Sequence, residues 1–161
     1  MNFFIIANNP KYNKHDYVQK KYRKQDKVVR INAIPKTCKE ILKGKTDYHC
    51  LRKCKNNFSK GQLIKDRGTK TLGLVGYSLK QWSTQWSVDL NRYNPVIELN
   101  NIQKKITERK VSTGFGVVYY FSNQYPNSTV YLVGFTFKGF AGHNWSAERK
   151  WCYEKENIVI I

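Results

Sequence analysis

Two groups of residues in this chain have the types and spacing to do chemistry together. Ser112-Thr113-Gly114 stands where a helical pattern begins. A helix start carries unpaired N–H groups and the positive end of the macrodipole, so small residues there make an anion cradle. Further on, the apolar β-branched run Val130 to Val133 reads as a buried strand that ends at Gly134-Phe135. His143 and Glu148 follow, five residues apart. With a helix starting near Asn144, that spacing sets them about a turn apart and roughly on one side. A histidine titrates near neutral pH and suits a general base. An anion cradle, a strand end and a nearby histidine together describe a group-transfer site.

The elements that must position these residues follow from the pattern of apolar runs. Phe3 to Ala7 reads as a first buried strand, broken by Asn8-Asn9-Pro10. Asp16 to Lys24 is a weak, mostly polar helix, and Lys27 to Asn32 is a second strand. Alternation puts Val28, Arg30 and Asn32 on one face of it. Arg30 there is either a phosphate clamp or a partly buried arginine paired with an acid. Asn32 either meets a ligand or caps a turn. Strands are also expected at Asp47 to Leu51, Leu72 to Tyr77 and Asn157 to Ile161. Helices are expected at Lys80 to Asn91, Asn101 to Lys110, Phe115 to Tyr125 and Asn144 to Glu156. In the first of these, Trp82, Trp86 and Leu90 form an amphipathic stripe best read as core. The segment Arg52 to Arg67 is the most loop-like. Strands that alternate with helices imply an α/β class with a mainly parallel, Rossmann-like sheet flanked by helices. At 161 residues the chain reads as one domain with room for a real core.

Several chemistries are excluded. There is no GxGxxG, so the ordinary dinucleotide fingerprint is absent. Gly44-Lys45-Thr46 lacks the upstream glycine of a phosphate-binding loop, since position 39 is lysine. Of the four cysteines, Cys50 and Cys54 are near His49, but no second ligand pair stands at zinc spacing. No metal is expected, and the cysteines read as free thiols in a reducing compartment. Met1 to Ala7 is too short and lacks the basic segment of a signal peptide. No run of ~18 apolar residues is present, so no transmembrane helix is expected. The expected setting is cytoplasmic, or peripheral at a membrane surface. The formal charge of +18 fits an anionic partner, although a general lysine-rich bias explains part of it. No recognised nucleic-acid motif occurs, and the aromatics do not interleave with the basic runs, so nucleic acid is disfavoured. The sequence leaves the oligomeric state open.

Three segments, in order, resemble the motifs of the animal-type sialyltransferases, glycosyltransferase family 29, in a reduced form. The large motif is matched by Ile5-Ile6-Ala7-Asn8, then Asp26-Lys27-Val28-Val29-Arg30-Ile31-Asn32, then Gly44-Lys45-Thr46. The small motif is matched by Val111-Ser112-Thr113-Gly114 and, after a helix, Val133-Gly134-Phe135. The very small motif, a histidine, four residues and a glutamate, is matched by His143 and Glu148. Their order across most of the chain is far more specific than any one alone.

The resemblance implies inverting, metal-independent transfer of sialic acid from CMP-sialic acid to a glycan acceptor hydroxyl, with no cofactor. It implies that Asn8 and Asn32 contact the donor nucleotide and phosphate, with Arg30 beside them. Ser112, Thr113 and Gly114 would line the CMP site. His143 would be the catalytic base and Glu148 its catalytic support. CMP-Kdo, a similar donor, is an alternative. A non-catalytic basic protein on the same fold, binding an anionic polymer, is a second.

Overall fold

The computed structural model describes residues 1–32, 38, 40–52, 71–77, 79 and 90–161. Most of the expected helix from Lys80 to Asn91, including Trp82 and Trp86, and the loop-like segment after Arg52 lie outside the described residues. The apolar runs form strands β1 (Phe3–Ile6), β2 (Lys27–Ile31), β3 (Tyr48–Arg52), β4 (Thr71–Gly76), β5 (Val96–Glu98), β6 (Val130–Val133) and β7 (Ile158–Ile160). The helices are α1 (His15–Lys21), α2 (Leu99–Ile106), α3 (Thr113–Gln124) and α4 (Trp145–Glu154). Short 3-10 turns occur at Ile41–Gly44 and Leu90–Arg92.

Among the described residues, seven strands join one sheet in the order β5-β4-β3-β2-β1-β6-β7, and each pairing between them is parallel. A parallel sheet needs cover on both faces, which is why its strands are apolar on both sides. Alternation divides them. Phe3, Ile5, Val29, Ile31, Val130 and Leu132 face a core shared with Ile102, Phe115, Phe121 and Cys152 of α2, α3 and α4. Phe4, Ile6, Val28 and Val133 face a smaller core with Val18 of α1, Ile41 and Leu42. The architecture is the expected Rossmann-like α/β sheet with helices on both sides.

The strand order decides where a site can form. From β1 the chain steps outward through β2, β3, β4 and β5. It then returns through α2 and α3 to lay β6 on the other side of β1. The order reverses between β1 and β6, so the loops leaving their carboxyl ends diverge and open a crevice. That is the place where open α/β sheets receive ligands.

Candidate functional site

A cleft of about 460 Å³ occupies this crevice. Ala7 to Pro10 after β1, Ile31 and Asn32 after β2, Arg52 at the end of β3, and Gly134 to Lys138 after β6 form its sheet-side wall. The opposite wall is Ser112 to Phe115 at the start of α3, with His143, Trp145 and Glu148 from the entry of α4. Gly134 has φ +72°, which turns the chain away from β6 at little steric cost.

Ser112 is the N-cap of α3, and its Oγ accepts from the Phe115 N–H at 3.0 Å. The same hydroxyl donates to Glu148 Oε2 at 2.8 Å, and the Ser112 N–H donates to Glu148 Oε1 at 2.6 Å. Glu148 is only 1% exposed. Burial pushes its carboxyl up to about 7, against the two bonds from Ser112 that favour the ionised form. Glu148 therefore clamps the start of α3. Ser112 spends its donors on that clamp. By helix geometry, the N–H groups of Thr113 and Gly114 lack intrahelical partners, and they are the donors that the helix start offers to an anion.

His143 precedes the N-cap of α4, Asn144, whose side chain accepts from the Ala147 N–H at 3.2 Å. The imidazole Nδ1 lies 3.1 Å from the carbonyl oxygen of Lys110, beside a parallel bridge between the two residues. A carbonyl only accepts, so Nδ1 carries the proton of the neutral ring and Nε2 keeps its lone pair. Burial lowers the His143 pKa from 6.5. The Lys110 carbonyl opposes that, and the nearby positive charges of Arg52 and Lys110 add to it. The net effect favours the neutral ring.

Asn8 lines the cleft while its Nδ2 donates to the Ile31 carbonyl at 2.8 Å, tying the turn after β1 to the end of β2. Asn32 has φ +52°, a conformation that asparagine tolerates. It joins β2 to β3. Its Oδ1 accepts from the Arg52 N–H at 2.7 Å, and its carbonyl contacts His49 Nε2 at 2.7 Å. Asn32 ties the end of β2 to β3 and also lines the cleft.

Arg30 does not line the cleft, which corrects its expected place in a phosphate site. Its guanidinium is buried and each of its three nitrogens donates to the protein. Nε donates to the Lys45 carbonyl and Thr46 Oγ1, Nη1 to the Cys38 carbonyl and Nη2 to the Ile41 carbonyl. Desolvation lowers its pKa to about 10, so it remains charged. Neither a phosphate clamp nor an acid pair, it pins the segment that leads into β3. Gly44-Lys45-Thr46 precedes β3 and so stands at the amino edge of the sheet, opposite the cleft. Lys45 there pairs with Asp47 at 3.4 Å and bonds the Tyr22 hydroxyl.

The sequence reading missed two cations of the cleft, Arg52 and Lys138. Arg52 is the last residue of β3, and the rule that ligands sit at strand ends was a signal for it. Among the described lining residues Glu148 is the one acid, and burial raises its pKa, so the cleft suits an anion. Among the described residues, no group of three or more His, Cys, Asp or Glu could hold a metal ion. Cys50 and Cys152 are buried and pushed up to about 12 by desolvation, which makes them poor nucleophiles. No helix of the described residues is long and apolar enough to cross a membrane. No protein-family model matches the chain, and no curated protein matches it significantly.

Proposed function

We propose that this chain is an inverting glycosyltransferase that moves sialic acid from CMP-sialic acid to a glycan hydroxyl. The observation that carries the reading is one cleft bringing together the start of α3, Asn8, Asn32 and a histidine with Nε2 free of its proton. The motif order suggests the donor, and the geometry supports the division of labour. Thr113 and Gly114 N–H groups, with Arg52, receive the phosphate as charge develops on it. Asn8 and Asn32 orient the nucleotide. His143 Nε2 takes the proton of the acceptor hydroxyl. The acceptor oxygen then bonds to the anomeric carbon, and the bond from that carbon to the phosphate oxygen breaks. CMP leaves with the electron pair, and the proton on His143 passes to solvent. The same steps serve CMP-Kdo.

The formal charge of +18 favours a second reading, a basic scaffold that binds anionic polymers without turnover. Calorimetric titration with CMP and CMP-sialic acid, against UMP and AMP, at two salt concentrations separates the two. Selective binding of the cytidine nucleotides supports the transferase. Equal and salt-sensitive binding of all four, or no binding, overturns it.

A further inference from the structure

Beside the cleft, one aromatic ring faces solvent. Phe140 is 70% exposed, the most exposed large hydrophobic side chain among the described residues. It is held there by construction. The Trp145 Nε1–H donates to the Phe140 carbonyl at 3.1 Å, and the His143 N–H donates to the same oxygen at 3.2 Å. The ring lies so close over Gly142 that a Cβ there would come within 2.3 Å of Cε1. The imidazole of His143 makes edge-to-face contacts with two rings. Phe140 is at 5.4 Å with planes 68° apart, and Trp145 is at 5.1 Å with planes 81° apart. Trp145 and His143 line the cleft, whereas Phe140 stands just outside it.

We propose that Phe140 is the stacking platform for the terminal pyranose of the acceptor, setting one sugar hydroxyl against His143 Nε2. The inference rests on the transferase reading above. Its chemistry is that of sugar recognition. The electron-rich face of an aromatic ring attracts the C–H patch of a pyranose, while the sugar hydroxyls turn to polar neighbours. Lys138, two residues before Phe140, and Ser146, next to Trp145, are both exposed. Size argues for a sugar rather than a protein. One aromatic side chain buries at most ~250 Å², whereas a stable protein interface needs about 1,000 Å². Position argues for the acceptor rather than the donor, because the ring flanks the base from outside the cleft that holds the helix start.

The test is saturation-transfer NMR with methyl β-galactopyranoside, methyl β-glucopyranoside and methyl N-acetyl-β-glucosaminide as probes. It is run on the wild type, Phe140→Ala and Phe140→Trp, with CMP titrated calorimetrically into each. We expect transfer to the C–H protons of one face of at least one glycoside. Affinity should fall about tenfold in Phe140→Ala and be kept in Phe140→Trp, with CMP binding the same in all three. Transfer from no glycoside, or transfer unchanged in Phe140→Ala, overturns the platform whatever CMP does. Phe140-dependent glycoside binding without CMP binding leaves the platform standing and removes the CMP donor.

Discussion

At the scale of single residues, His143 is useful because of the nitrogen that is already engaged. The Lys110 carbonyl holds the proton on Nδ1 and so leaves Nε2 as the nitrogen able to take one. Burial and the neighbouring cations disfavour the imidazolium. The acid limb of kcat/KM should therefore lie below pH 6.5, the ordinary value for imidazole. His143→Ala should lower kcat by ~10²–10⁴ while CMP binds as before. A pH–rate profile and calorimetry on the variant check this, and unchanged turnover would remove the base assignment. The residue types of this site were legible in the sequence. The partners that set each role were not. Whether Arg30 reaches a phosphate or four oxygens of residues 38–46 depends on how that segment folds back. No local pattern encodes that.

At the scale of elements, Glu148 fastens the first turn of α4 to the N-cap of α3. Its spacing from His143 suggested a shared side, and both do line the cleft, but the carboxylate is turned to Ser112. The folded-state pKa of about 7 is raised from 4.5. The stabilisation linked to the neutral carboxyl is complete below about pH 4.5 and is lost as pH rises through 7. The raised pKa is worth roughly 3 kcal/mol across that window. Urea unfolding of the wild type and Glu148→Gln should show the wild type losing about that much relative to the variant between pH 4.5 and 8. Parallel pH dependences would mean that Glu148 is not buried in the neutral form. Strands and helices themselves were largely legible, because buried parallel strands are short apolar runs. β6 spans the expected Val130 to Val133. Ends were less so, since α3 begins at Thr113 rather than Phe115 once Ser112 caps it.

For the whole molecule, charge and strand order act separately. The +18 charge creates a long-range field, and the cleft is a local device. A duplex DNA probe held by the field through 6–10 phosphates should lose ~10³–10⁵-fold in affinity between 50 and 200 mM salt. CMP, held by fixed donors, should weaken by less than about tenfold over the same range. Filter binding beside calorimetry measures both, and equal salt slopes would place CMP on the basic surface instead. The alternation of strands and helices predicted a parallel sheet. Its reversal beside β1 was not legible, because nothing in an apolar run says which neighbour it takes.

That reversal also sets a schedule for synthesis. β1 lies inside the sheet, yet one of its two neighbours is β6, and Phe3 meets Val130 only after 127 further residues. At ~5–20 residues per second, the Phe3–Ile6 edge stays unpaired for roughly 6–25 s on the ribosome. An apolar strand edge left open for so long is a template for other nascent chains. The strand that anchors the cleft is thus also the one that most needs shielding until its partner arrives.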